Sequence, residues 1–476
     1  MNLLSKQHSP FLYFIISVAL LRVLLAPFVG LGVDEAHYVL YALNLDLSYF
    51  DHPPLVGWTQ WIFLSLFGET ELASRVSAIL IGFITSIFIY KLIFDINKNE
   101  KEAFIALLAL HASFLFNALF IMLLPDTLLF LLILPIIFTL IELEKKESLF
   151  LWLLLSIFLA LSALAKYTAI LFIPPIIIYL IFKKRYDLLF SIKALPALIL
   201  GLMIISPIFI WNIQNDWISF TYQSEHVVGA NTIQWKGFFR SLLAQFAAYN
   251  PFLAPVAFYG LYRAFKSQNN TLFLTSLFGL VLLFFFTYAS LYKTALPHWS
   301  ALFYMLFIPI GSFYFIENSK KYLKFSIGFG LFIALVAYGE LGFKFIPQPN
   351  YQSLHRDIYG WDLVMQKVNE QIKEPQNQAI GVTNWTLASR ALYYNREYNS
   401  SVYLIDDRSD QFDIWENKNV LGKNLIIIQT HFFQKNLKQY IKCDSLKKLT
   451  KFDITLNNNI VNTIELVECK NYKGLQ

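Results

Sequence analysis

Asp34 and Glu35 stand side by side in a short polar stretch, Val33-Asp34-Glu35-Ala36-His37-Tyr38, just after the first apolar run at 11–29. Further on, Tyr49-Phe50-Asp51-His52-Pro53-Pro54 adds a third acid and a histidine. Adjacent carboxylates suit proton transfer, because one of them can accept the proton of an attacking hydroxyl or amine and raise its nucleophilicity. Consecutive prolines fix the backbone after Asp51-His52 and present those side chains at little ordering cost. Ionisable groups beside a bilayer are expensive to hold, and the default reading of such a cluster is functional. The competing account of Asp34-Glu35 is a capping pair at a helix start, where anions suit the helix dipole. For His52 it is a structural hydrogen bond within the loop.

A second set of charges falls at the ends of later apolar runs: Asp126 after Pro125, Lys166 beside Tyr167, Glu225-His226, Lys293 and His298. Taken singly, each reads as a snorkelling side chain or a helix cap. Gathered at one membrane face, acids and bases of this kind suit an anionic head group and a proton transfer. Lys166 and Lys293, with His52 and His298, are the groups to hold a phosphate and stabilise its charge as it leaves. The chain has no glycine-rich nucleotide loop, zinc-ligand spacing or nucleophile elbow.

The elements that must position these residues are apolar. The chain of 476 residues is 57% hydrophobic, 17% aromatic and 15% charged, which excludes a soluble globular domain and predicts an all-α polytopic membrane protein. Runs of spanning length lie at 11–29, 75–94, 103–123, 127–143, 149–165, 168–182, 188–210, 241–265, 271–290, 299–316 and 325–345, about eleven helices in all. Lysines and arginines concentrate in alternate connections, among them Lys98 and Lys101, Lys145 and Lys146, Lys183 to Arg185, and Lys320 to Lys324. The positive-inside rule then puts the amino terminus in the cytoplasm, on a retained first helix, and both the Asp34 stretch and the carboxyl-terminal region outside. The net charge of +6 reflects this loop bias, so no nucleic-acid partner is expected.

From 347 the composition turns polar, with strand-like runs at 379–382, 402–405, 425–428 and 460–466 and a helical stretch at 385–394. A transmembrane domain at 1–346, with an outward loop at 30–75, and a small α/β extracytoplasmic domain at 347–476 follow from this. Cys443 and Cys469 both lie in the second domain; in an oxidising compartment they either pair or remain two buried thiols.

In order along the chain, these residues resemble the GT-C-type glycosyltransferases that use polyprenyl-phosphate sugars, including the dolichyl-phosphate-mannose protein mannosyltransferases and the lipid A aminoarabinose transferases. The resemblance runs over roughly 10–320. It is carried by Asp34-Glu35, the 49–54 motif, Gly68-Glu69-Thr70-Glu71-Leu72 with Arg75, Pro125-Asp126, Ala165-Lys166-Tyr167, Ser206-Pro207 with Trp211-Asn212, and Pro297-His298-Trp299. It implies Asp34 as catalytic base with Glu35 in support, and Asp126 as the second acidic position. Asp51, His52, Arg75, Lys166, Tyr167, Lys293 and His298 are then the residues for the lipid phosphate and sugar. Where the aminoarabinose transferases have Glu-Lys before the paired prolines, this chain has Asp51-His52, so the phosphate role leans on Lys166.

The resulting expectation is an inverting glycosyltransferase of the bacterial cytoplasmic membrane, working on its outer face. It would move a sugar from a polyprenyl phosphate in the lipid to an envelope acceptor: lipid A, another glycolipid, a glycan or a protein. No cofactor is obligatory; a divalent metal, if used, would be held by Asp34, Glu35 and Asp126. The alternative is a flippase for polyprenyl-linked glycolipids, against which stands the expected gathering of charges at one surface instead of the midplane.

Overall fold

The computed structural model describes residues 9–228, 232–293, 295–415 and 420–476, with the side chains of 225–228 outside that set. The expectation for Glu225-His226 falls on those side chains and so lies outside the described residues. In chain order the helices are α1 (Ser9–Leu25), α2 (Val33–Leu43), α3 (Leu55–Phe67), α4 (Glu71–Asn97), α5 (Glu100–His111), α6 (Phe114–Leu119), α7 (Pro125–Lys145) and α8 (Leu149–Ala165). They continue with α9 (Ile173–Phe182), α10 (Tyr186–Leu189), α11 (Ala194–Gln214), α12 (Ile218–Val228), α13 (Trp235–Ala248), α14 (Ala254–Phe265), α15 (Asn270–Tyr292), α16 (Ala301–Asn318) and α17 (Lys320–Phe343). Among the described residues, seven helical segments are long and apolar enough to cross a membrane, and three shorter apolar ones lie at Leu55–Phe67, Leu149–Ala165 and Tyr167–Phe182. The chain is a multi-pass, mostly helical membrane protein.

Two runs expected as single spans are each broken in two. The run at 103–123 becomes α5 and α6, and Asn117 satisfies the break by donating to the carbonyls of His111 at 2.8 Å and Ser113 at 2.9 Å. The run at 241–265 becomes α13 and α14 about Asn250, which takes a left-handed φ of 72° ahead of Pro251. Its side-chain amide donates to the carbonyls of Ala112 and Ser326 at 3.1 and 3.0 Å. Apolar composition continues through both breaks because the freed carbonyls are met by an amide inside the protein and not by water. At the same junction α17 passes close: a Cβ on Gly330 would sit 2.1 Å from the Ala112 carbonyl oxygen. Gly260 on α14 and Gly311 on α16 likewise let two backbones touch, a Cβ on Gly311 falling 2.1 Å from the Val256 carbonyl oxygen.

The chain divides into two compact units, one of residues 1–24, 46–56 and 75–337, the other of 25–45, 57–74 and 338–476. The second unit holds a five-stranded sheet in the order β2-β1-β3-β5-β4, with β1 (Gln378–Val382), β2 (Val402–Leu404), β3 (Asn424–Thr430), β4 (Ser445–Leu456) and β5 (Asn459–Lys470). β1 pairs in parallel with β2 and β3, while β5 runs antiparallel to β3 and β4. The helices α18 (Trp361–Asn369) and α19 (Trp385–Asn395) pack their apolar faces on it, Met365, Val368, Leu387 and Ala391 being buried with Ile380, Ile426 and Leu466. The edge strand β4 was not among the expected strands, since its lysines at 447, 448 and 451 hide a β pattern; charged edge positions of this kind guard against edge-to-edge pairing. Cys443 and Cys469 form a disulfide, their Cα atoms 5.6 Å apart.

The same unit includes α2, which was expected to stand with the transmembrane part. Its buried face, Ala36, Val39 and Ala42, clusters with Leu64, Ala73 and Tyr393. His37 points the other way along the helix into an aromatic cluster with Trp385, Phe412 and Trp415, and its Nδ1 lies 3.2 Å from the Ser389 hydroxyl.

Candidate active site

In the helical unit the 46–54 loop is fastened from three sides. The Trp211 indole donates to an Asp46 carboxylate oxygen at 2.7 Å, the Ser219 hydroxyl to the Tyr49 carbonyl at 2.9 Å, and the Gln223 amide to the Asp51 carbonyl at 2.6 Å. Within the loop the Tyr49 N–H donates to the His52 carbonyl at 3.2 Å. The loop is thereby closed on itself ahead of Pro53 and Pro54, and it presents Asp51 and His52 as a pair with 3.1 Å between Oδ2 and Nδ1. Fixing a loop by both proline and tertiary bonds removes the ordering cost at the moment a ligand binds.

Asp126 stands in the first turn of α7, where Pro125 fills the first helical position and the Thr127 hydroxyl accepts from the Leu124 N–H at 3.3 Å. Its partner is Lys166, the residue that ends α8, whose ammonium donates to both carboxylate oxygens at 2.8 and 2.7 Å. The pair is nearly closed to solvent, 13% and 6% of the two side chains remaining exposed. His298 and His52 both act electrostatically on Asp126 alongside Lys166. His298 sits in a short 3-10 turn, Pro297–Ser300, which α13 and its cap hold in place: the Tyr249 phenol donates to the Pro297 carbonyl at 2.7 Å and the Ser300 hydroxyl to Gln245 at 2.9 Å.

Asp51, His52, Asp126, Lys166, Tyr167 and His298 are therefore brought together in one unit, from four separate stretches of chain. Arg75 is also there, buried on α4. Lys293 ends α15, in the same unit. Asp34 and Glu35 lie in the first turn of α2, in the other unit, and there Glu35 is buried with its carboxylate accepting the Gly32 N–H at 3.0 Å. Glu35 is a helix-capping acid in this geometry. Among the described residues no group of three or more histidines, cysteines or acids is disposed to hold a metal ion.

Sequence reading missed Tyr249, Gln245, Ser219 and Gln223, which carry the loops that carry the charges. Their only sequence signal is a polar side chain in an apolar or aromatic run, which is too common to single out.

Residues 51–211 match the family model described as dolichyl-phosphate-mannose-protein mannosyltransferase. Among solved structures, ArnT from Cupriavidus metallidurans bound to undecaprenyl phosphate aligns with a TM-score of 0.68 at 12% identity, over 96% of this chain and 98% of that one. The same protein in the apo state aligns with a TM-score of 0.67 at 13% identity, again over 96% and 98% of the two chains. No curated protein sequence matches. The chain has the GT-C fold of those two structures, and its segment 51–211 resembles the mannosyltransferase family.

Proposed function

We propose that this protein is an integral-membrane glycosyltransferase that moves a sugar from a polyprenyl-phosphate donor to an envelope acceptor, a glycolipid such as lipid A, a glycan or a protein. The observation that carries the reading is the buried Asp126–Lys166 pair with His298 and His52 in electrostatic reach, inside a chain of GT-C fold. A lysine held by one carboxylate and flanked by two histidines is suited to a phosphate monoester, which takes charge-assisted hydrogen bonds from such donors. Neighbouring His52 and His298 add to the positive field when protonated.

In the reaction the acceptor O–H or N–H attacks the anomeric carbon from the face opposite the lipid. The new bond forms as the bond from that carbon to the phosphate oxygen breaks, and the configuration inverts. Asp34 takes the acceptor proton, and the polyprenyl phosphate leaves with its electron pair toward Lys166 and the histidines. The active residues and the sheet-bearing region face the outside of a bacterial cytoplasmic membrane. The Cys443–Cys469 disulfide supports that placement, because such bonds persist in oxidising compartments.

The deciding experiment compares Asp34→Asn with wild type in purified, lipid-reconstituted form, using undecaprenyl phosphate bearing a radiolabelled sugar and total envelope glycolipid as acceptor. Loss of transfer on the order of a thousandfold with donor binding retained is expected for a general base; transfer at the wild-type rate removes Asp34 from that role. Loss of all turnover in chelator, restored by one divalent metal, would put a metal in the mechanism instead.

A further inference from the structure

Within the sheet-bearing unit a cavity of about 540 Å³ is walled by Phe28, Glu71, Tyr359, Trp361, Asp362 and Asp453, with Lys344 at its side. None of these residues takes part in the transfer described above. The walls are fastened to one another. The segment before α2 runs so close to the backbone at 358 that a Cβ on Gly30 would sit 2.1 Å from the Ile358 carbonyl oxygen, and the Leu31 N–H donates to the Tyr394 hydroxyl at 2.8 Å. Trp361 is buried with the Arg390 guanidinium 4.4 Å from its ring centroid, and that guanidinium donates to the Asp357 carbonyl at 3.1 Å. A preformed cavity lined by aromatic rings and a few polar groups has the character of a small-molecule site, and such sites run from about 300 to 1,000 Å³.

Its level and its charge define what fits inside. Phe28 ends one apolar segment long enough to span the membrane, Ser9–Phe28, and Lys344 directly follows another, Lys320–Phe343. Phe28, Phe343 and Phe345 are 68%, 83% and 55% exposed, as rings at a lipid–water boundary are. The cavity therefore opens where the polar head of a membrane lipid lies. Three carboxylates line it against one ammonium. Glu71 and Asp362 stand in the first turns of α4 and α18, where anions suit the helix dipole, and Asp453 on β4 accepts from the Thr463 hydroxyl at 2.6 Å. The dipole accounts for an acid at each helix start; it does not account for three acids, from two helices and a strand, around one aromatic cavity.

We propose that this cavity docks an unphosphorylated sugar carried by a membrane lipid, holding one sugar of the acceptor while its reacting hydroxyl or amine lies at Asp34. This rests on the transferase reading and narrows its acceptor to a hydroxyl- or amine-bearing glycolipid. Carboxylates accept hydrogen bonds only, so the ligand has to donate, as sugar hydroxyls and amines do. A dianionic phosphate has no proton to give and meets an excess of like charge. The C–H face of a pyranose buries well against an aromatic ring such as Phe28 or Tyr359. Gly30 lines the cavity and Asp34 follows four positions later, at most about 14 Å along an extended chain, a span that a short glycan bridges. Affinity for the remote sugar then serves to position the reacting one.

The test uses the full chain in phosphatidylcholine nanodiscs and compares wild type with Phe28→Ala and with the double variant Glu71→Gln, Asp362→Asn. The probes are monoglucosyl-diacylglycerol, glucosaminyl-diacylglycerol and phosphatidic acid. At least one sugar-bearing lipid binds wild type more tightly than phosphatidic acid, and each variant weakens that lipid about tenfold. Phosphatidic acid is held no less tightly by the double variant, which has lost two negative charges. Thermal midpoints match wild type, because Phe28 and Asp362 are exposed. In transfer to total envelope glycolipid, the double variant raises KM for the acceptor about tenfold and leaves kcat and the donor KM unchanged. Phosphatidic acid bound more tightly than both sugar lipids, or sugar lipids held equally by all three proteins, overturns the docking site even where wild type transfers sugar. Selective binding that the variants lose, from a wild-type protein that transfers nothing, keeps the lipid-sugar site and overturns the transferase reading.

Discussion

At the scale of single residues, the Asp126–Lys166 pair sets the terms. Two charges this far from water are held by each other, and removing one leaves the other buried without a partner. Lys166→Met is expected to lower stability by about 3–5 kcal/mol, and Asp126→Asn combined with it to recover much of that loss. Thermal unfolding of the two single variants and the double variant in detergent gives the coupling directly; strictly additive losses would mean that the pair is not a stabilising unit. A second prediction concerns Asp410 in the sheet-bearing unit, whose carboxyl is pushed up to about 7 by burial, with Asp406 and Asp413 adding to the shift. Because the folded state raises this pKa above the unfolded value, folding binds protons between the two values. The stabilisation is therefore complete at acid pH and disappears as pH rises toward about 7. The unfolding midpoint should fall between about pH 4 and pH 7, and Asp410→Asn should flatten the slope. These charges were legible in sequence as ionisable groups at the ends of apolar runs. Their pairing was not: forty positions separate Asp126 from Lys166, and nothing local marks the partner. Ser219 and Gln223, which hold the 46–54 loop, were silent for a different reason, since a neutral side chain on a helix carries no anomaly until its partner is known.

At the scale of elements, the helices of the membrane part meet where side chains are missing. Gly260 and Gly311 bring α14 and α16 into backbone contact, and Gly311→Val should cost about 1–3 kcal/mol by overpacking against Val256. A variant that unfolds at the wild-type temperature would show that the crossing yields. In the sheet, the disulfide closes β4 and β5 at their open end across 26 positions. Cys443→Ala with Cys469→Ala is expected to lose about 2–4 kcal/mol, read as a lower unfolding midpoint in non-reducing conditions. Hydropathy located most spanning runs, because only length and apolarity matter there. The breaks at Ala112-Ser113 and Asn250-Pro251 escaped because the partners that satisfy them, Asn117 and Asn250 itself, are single amides in otherwise apolar sequence. Four of the strands were visible as β-branched runs; β4 was masked by the lysines that protect its edge.

At the scale of the whole molecule, the division into units cuts across the division by composition. The polar composition after 347 marks a change of character along the chain, but the compact unit that holds this region begins at Tyr338 and takes in residues 25–45 and 57–74 as well. That α2 belongs to the same compact unit was not readable, because its packing against α19 joins residues some 350 positions apart, such as His37 and Ser389. Deleting 347–476 is expected to abolish transfer even though the sheet contributes none of the proposed reacting groups. It would remove Trp385, Phe412 and Trp415 from around His37, and Asp34 sits one turn earlier on that helix. Membrane insertion with wild-type activity after this truncation would show that α2 holds its place unaided.

The bond from the Leu31 N–H to the Tyr394 hydroxyl at 2.8 Å anchors the start of α2 to the same body. Exchange of the sheet-bearing portion between distant homologues therefore has natural seams that are not the obvious ones. A working chimera would have to transplant residues 25–45 and 57–74 along with the carboxyl-terminal segment, as three pieces inherited together.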